Sequence, residues 1–176
     1  RIQPIGAQLR VRVMSMDGTV RYDHTTAATL APLASTRVMD LADAALLHGG
    51  STADTIAVFE LLQDGQLLSR HLLYFASARD LQLPDPALSG SLVAHGDGYQ
   101  LTVRAARFAR GVWVDFGDLD ATLSDNAFDL LPGQSMTLDV GSDASIDALR
   151  TSLHLHSLAD ATLSPGGKTR TADHPH

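Results

Sequence analysis

Two histidines near the end of the sequence have a spacing that could bind a metal ion. His154 and His156 would share one face of a β-strand, because alternate strand residues point the same way, and two imidazoles could hold a metal if a carboxylate joined them. The opposite face would carry Leu153 and Leu155, which favours leucines inward and histidines towards solvent or a neighbouring domain. We therefore predict no metal site.

Five aspartates form the densest acidic cluster and raise the alternative of calcium binding. Their spacing does not follow the Asp-x-Asp-x-Asp-Gly loop that ends in a glutamate, and strand alternation would scatter the carboxylates. Two of these aspartates could catalyse glycoside hydrolysis only in a pocket that raises the pKa of one carboxyl group, and the sequence indicates no such pocket. We interpret the cluster as solvated turns. Its members are Asp115, Asp118, Asp120, Asp125 and Asp129.

Three short motifs resemble parts of catalytic sites. Ser124-Asp125-Asn126 matches one element of the serine β-lactamase signature and Lys168-Thr169-Arg170 nearly matches another, but the Ser-x-x-Lys nucleophile is missing. His48-Gly49-Gly50 resembles an oxyanion-hole loop, but the sequence has no Gly-x-Ser-x-Gly elbow. We interpret Ser124-Asp125-Asn126 as a turn whose side chains hydrogen-bond the backbone, and His48-Gly49-Gly50 as a loop. The sequence predicts no catalytic and no cofactor-binding residue.

The single tryptophan is the candidate sugar contact. Trp113 lies opposite in phase to Val112 and Val114 in a predicted strand. An exposed indole is a platform on which a sugar ring can stack, whereas a buried one would fill the interface between sheets or domains. Of these two alternatives the pattern favours a buried indole. If the indole is exposed instead, Trp113 is the candidate sugar contact.

Composition excludes several classes of protein. The 176 residues carry a net charge of -7, and no run approaches the ~20 apolar residues of a membrane span. Nucleic-acid binding needs a basic stripe, which the scattered arginines do not form. Cysteine is absent, so composition leaves periplasmic, secreted and cytosolic locations open, and of these we favour a periplasmic or secreted one. Glu60 is the only glutamate and Lys168 the only lysine, which argues against a mainly helical chain.

Period-two alternation of apolar residues predicts strands along most of the chain. Leu9, Val11 and Val13 share one face of a half-buried strand, and Asp-Gly at 17–18 and at 64–65 predicts two hairpin turns. The Ala-rich run 41–47 fits a strand or one helical turn, and 149–158 is predicted as a strand. Short strands at about ten-residue spacing are typical of antiparallel sandwiches.

The chain is therefore predicted to be all-β, with two tandem immunoglobulin-like antiparallel sandwiches. Two prolines in Leu83-Pro84-Asp85-Pro86 predict the boundary, which places the domains at residues 1–84 and 85–163. The tail at 164–176, which contains His174 and His176, is predicted to be disordered.

Two segments resemble the C-terminal immunoglobulin-like domains of glycoside hydrolase family 2 β-mannosidases. Residues 68–86, LSRHLLYFASARDLQLPDP, resemble the end of the penultimate domain, and residues 123–138, LSDNAFDLLPGQSMTL, resemble the final domain. The resemblance implies that the parent enzyme has a catalytic (β/α)8 barrel, whose two glutamates remove terminal non-reducing β-D-mannose with retention. No position here matches the barrel motifs. The Trp-Val-x-Asn-like first strand is also missing, so we expect the chain to begin inside the penultimate domain.

Three hypotheses about function follow. The first is a non-catalytic accessory region that supports the barrel of the same polypeptide and shapes the rim of its active site. The second is a module whose final sandwich binds mannan or a related polysaccharide. The third is a cell-surface adhesion array, which predicts further similar sandwiches beside these two.

Overall fold

The computed structural model describes residues 3–35, 37–47 and 49–163. The chain divides into two compact units, Arg1–Gln82 and Leu83–His176. The predicted disordered tail, with Lys168, His174 and His176, lies outside the described residues, as does His48.

The first unit contains one antiparallel sheet of four long strands. They are β1 (Ile5–Ser15), β2 (Val20–Leu30), β3 (Thr55–Gln63) and β4 (Gln66–Tyr74), arranged in the order β2-β1-β3-β4. The run predicted as strand or helical turn forms a short helix, α1 (Asp43–Leu47), because alanine and leucine favour helix.

Both predicted hairpins are confirmed. Asp64 and Gly65 have φ angles of 51° and 79°, the two positive values that a primed two-residue turn requires. In the first hairpin, the Asp17 carboxylate accepts a hydrogen bond from the Thr19 amide at 2.9 Å, and Gly18 has a φ of 105°. Each turn therefore sets the register in which its two strands pair.

That apolar face forms the core of the first unit. Val11 and Val13 of β1 are fully buried, together with Ala57 of β3 and Leu46 of α1. The alternate residues of β1 lie on the opposite face, where Arg10 meets Asp23 of β2 at 2.8 Å.

The second unit is a sandwich of two antiparallel sheets. Its strands are β5 (Leu88–His95), β6 (Gly98–Ala105), β7 (Ala109–Asp115), β8 (Thr122–Leu123), β9 (Phe128–Leu130), β10 (Ser135–Gly141) and β11 (His154–His156). One sheet has the order β5-β6-β10-β8 and the other β11-β7-β9. The inward residues of both sheets, such as Leu101, Val112 and Leu138, are fully buried in one cluster. The all-β antiparallel fold class is thus confirmed.

The strand predicted over 149–158 is wrong. Residues Ile146–Ser152 form a helix, α2, because the Ser145 hydroxyl accepts a hydrogen bond from the Ala148 amide and caps the first turn. Only His154–His156 is extended, and a second helix, α3 (Leu158–Leu163), follows. In the part of the chain that the structure describes, no helix is long and apolar enough to cross a membrane.

Candidate functional site

The Ser-Asp-Asn motif stabilises the sandwich. The Asn126 side-chain amide binds both backbone groups of Val114 in β7: its Oδ1 accepts from the Val114 amide at 2.9 Å, and its Nδ2 donates to the Val114 carbonyl at 3.0 Å. The Ser124 hydroxyl accepts from the Asp139 amide at 3.0 Å, and the Asp125 carboxylate accepts from the Asn126 amide at 2.7 Å. The predicted turn is therefore confirmed, and Asn126 extends the hydrogen bonding of β7 beyond its pairing with β9.

Trp113 lies on the outer face of the strand that Asn126 holds. Its neighbours Val112 and Val114 point into the core, and the indole is 51% exposed. Trp113 is therefore not buried between the two sheets of this unit, which is one of the two interfaces expected for it. The reason is the alternation of the strand: Val112 and Val114 turn into the core, and Trp113 turns to the opposite face of β7.

The two histidines of β11 stand beside Trp113. Residue His156 is directly opposite Trp113, and His154 is directly opposite Asp115. The Asp115 carboxylate lies 3.5 Å from His154 Nδ1 and 3.3 Å from His156 Nε2, and Asp160 of α3 lies 3.9 Å from His156 Nδ1. We call Trp113, Asp115, His154, His156 and Asp160 the β7–β11 patch.

The patch does not have the geometry of a metal centre. The two imidazole rings are 6.2 Å apart and nearly parallel, at 11°, so their in-plane lone pairs cannot converge on one ion. Among the described residues, no group of three or more potential ligands is arranged to hold a metal ion. The outward direction of both histidines and the inward packing of Leu153 and Leu155 agree with the sequence interpretation.

The interpretation of the aspartates as turn residues is wrong for Asp115 and Asp129, which lie in β7 and β9 because their neighbours alternate into the core. The Asp129 carboxylate accepts from the Gly111 amide at 2.7 Å, and the Asp115 carboxylate accepts from the Gly117 amide at 2.9 Å. At Asp120 it is the backbone carbonyl that accepts a hydrogen bond, from the Ser142 hydroxyl at 2.6 Å. Gly50, in the loop after His48, also has a local role, since a Cβ added there would clash with the Arg21 guanidinium.

Glu60, the only glutamate, is held in an ion-pair network on the polar face of the first sheet. Its carboxylate lies 3.0 Å from the Arg12 guanidinium and 2.9 Å from that of Arg70, and its side chain is 8% exposed. Beside it, the hydrogen bond from Arg10 holds the pKa of Asp23 below its usual value. All carboxylate oxygens of Glu60 thus face arginines, an arrangement that serves sheet cohesion.

A polar groove of about 530 Å³ was not predicted from the sequence. It runs along the end of β6, β8 and β10, where its lining includes His95, Asp97, Tyr99, Ser124 and Asp139. These residues come from three separate stretches of sequence, so only the strand pairing brings them together. The Tyr99 hydroxyl is already committed to the Ala144 carbonyl at 2.7 Å.

Comparisons with known proteins assign both units. Residues 1–80 match the family described as a mannosidase Ig/CBM-like domain, and residues 83–161 match the mannosidase family described as an Ig-fold domain. No curated protein sequence matches the chain significantly.

The solved structures that match this chain belong to much longer proteins. The β-D-mannosidase of Dictyoglomus thermophilum superposes with a TM-score of 0.61 at 14% identity, over 88% of this chain and 19% of that enzyme. The exo-chitosanase CsxA of Amycolatopsis orientalis gives a TM-score of 0.49 at 17% identity, over 89% of this chain and 23% of that enzyme. The chain thus spans about a fifth of the length of these enzymes.

The two family matches follow each other in the order that the resemblance to β-mannosidases implies, and they leave only the tail and a two-residue gap unmatched. The chain therefore belongs to the immunoglobulin-like domains that form the C-terminal part of glycoside hydrolase family 2 mannosidase-type enzymes.

Proposed function

We propose that this chain is a non-catalytic accessory region of a β-mannosidase-like glycosidase. The intact enzyme would hydrolyse terminal non-reducing β-D-mannose residues by a retaining mechanism. In this proposal the two units support the catalytic barrel of the same polypeptide and shape the rim of its active site. The observation that carries it is the tandem match of residues 1–80 and 83–161 to mannosidase domains.

The state of Glu60 supports the non-catalytic part of the proposal. A retaining glycosidase needs two carboxyl groups about 5 to 5.5 Å apart, one as nucleophile and one as acid and base. In families of the proposed kind both are glutamates, and this chain contains only Glu60. Its carboxylate is enclosed by Arg12 and Arg70, so it has neither a second glutamate nor free access to a substrate.

We expect the chain alone to release no p-nitrophenol from p-nitrophenyl β-D-mannoside. The physical reason is that the acid and the nucleophile would both lie on the barrel. The measurement is absorbance at high protein concentration against a buffer blank, with the Glu60→Gln variant as the matched control. Turnover above the blank that disappears in Glu60→Gln would contradict the proposal.

The exposure of Trp113 favours a second candidate function, a sandwich that binds mannan or a related polysaccharide. An indole that is half exposed beside carboxylates and imidazoles combines an apolar face with hydrogen-bonding groups, as sugar recognition requires. Support of the barrel and polysaccharide binding are compatible, but they predict different results with the isolated chain.

A further inference from the structure

We propose that the β7–β11 patch is a subsite for one neutral pyranose ring of a mannan-type polysaccharide. The ring would stack on the Trp113 indole while its hydroxyls hydrogen-bond with Asp115 and His156. This inference rests on the second candidate function and assigns it a site and a ligand class.

The polar groups of the patch lie beside the indole. Trp113 and Asp115 are two residues apart on one strand, so their side chains leave the same face about 7 Å from each other. His156 lies beside both residues, because it pairs directly with Trp113 and its Nε2 lies 3.3 Å from the Asp115 carboxylate.

The backbone around the patch is held in place before any ligand arrives. Asn126 fixes Val114, the residue between Trp113 and Asp115, through two hydrogen bonds. The Asp115 carboxylate is oriented by the Gly117 amide at 2.9 Å, and Asp160 by the Ser157 amide at 2.8 Å. A carboxylate that is already oriented loses little side-chain entropy on binding, which favours recognition of a weakly held sugar.

The charges of the patch select a neutral sugar. Two carboxylates, Asp115 and Asp160, lie in the patch beside its imidazoles and give it an acidic character. A uronic acid would place its carboxylate beside these two. Hydroxyl groups, by contrast, can donate to the carboxylates and exchange hydrogen bonds with the imidazoles.

The test is affinity electrophoresis of the full chain in native gels that contain soluble galactomannan, with polygalacturonate gels and ligand-free gels in parallel. The variants are Trp113→Ala, Trp113→Phe and Asp115→Asn. The matched control is Val93→Ala, which removes a similarly exposed apolar side chain from β5 in the other sheet of the same unit. Circular dichroism and thermal unfolding confirm that each variant is folded.

We expect galactomannan, but not polygalacturonate, to retard the wild type and Val93→Ala equally. Trp113→Ala should raise the dissociation constant about tenfold or more, as for loss of a central aromatic contact, whereas Trp113→Phe should recover part of the affinity. Equal retardation of wild type and Trp113→Ala would overturn the site while leaving polysaccharide binding intact. Absence of retardation in the wild type would overturn both, and the accessory role would stand.

Discussion

Replacing Glu60 by leucine is expected to lower the free energy of unfolding by about 2 to 4 kcal/mol. Glu60 compensates two guanidinium groups that are only partly exposed, at 20% for Arg12 and 27% for Arg70. Without the carboxylate, two like charges remain on β1 and β4, the two strands that flank β3, with little water to screen them. Removing one member of a buried ion pair leaves an uncompensated charge, whose cost exceeds that of losing an exposed pair.

Urea unfolding followed by circular dichroism measures this effect. The matched control is Asp23→Asn, which breaks the more exposed pair with Arg10 on the same face and should cost less than about 1 kcal/mol. The triple variant Arg12→Met, Glu60→Leu, Arg70→Met should recover most of the lost stability, because it removes both stranded charges. Equal effects of Glu60→Leu and Asp23→Asn would show that the network contributes no more than a surface pair.

Replacing Asn126 by alanine is expected to destabilise the second unit by about 2 to 3 kcal/mol. The Asn126 amide satisfies the amide and the carbonyl of Val114, a core residue that is 1% exposed. Alanine would remove both hydrogen bonds, and a partly buried backbone donor and acceptor would lose their partners. Asn126→Asp should be nearly as harmful, since a carboxylate can still accept from the Val114 amide but would repel its carbonyl.

Trp113 makes this change measurable in the unit concerned, because it is the only tryptophan and adjoins Val114. Urea unfolding followed by Trp113 fluorescence should show a lower midpoint for Asn126→Ala. The control is Ser124→Ala in the same motif, which loses one exposed hydrogen bond to the Asp139 amide and should cost about 1 kcal/mol or less. A midpoint for Asn126→Ala that equals that of Ser124→Ala would contradict the proposed role of the amide.

Local patterns were sufficient for most of the strands. The Asp-Gly turns at 17–18 and 64–65 and the alternation of Val11 and Val13 with arginines each follow from a few neighbouring residues. The apolar residues after residue 145 fit both the period of two that is typical of a strand and the period of about 3.6 that is typical of a helix, because the segment is short. The predicted strand is therefore wrong there. The sequence does contain a signal that favours the helix, namely Ser145 at the N-cap position before Ile146.

The candidate site depended on information that no local pattern holds. Alternation correctly placed Trp113 opposite Val112 and Val114, but it could not show whether anything covers that outer face. The approach of Asp115 to His154 and His156 depends on the pairing of β7 with β11, about forty residues further along the chain. The polar groove at Asp97 and Asp139 likewise requires the pairing of distant strands.

The most direct test of the central claim is to sequence the reading frame upstream of the Arg1 codon and express its product. The accessory-region account predicts a (β/α)8 barrel in that frame, with two glutamates at the carboxyl ends of its strands, and an expressed protein that hydrolyses p-nitrophenyl β-D-mannoside with retention. A frame that encodes further sandwiches similar to these two and no barrel would contradict the account and support an adhesion array instead.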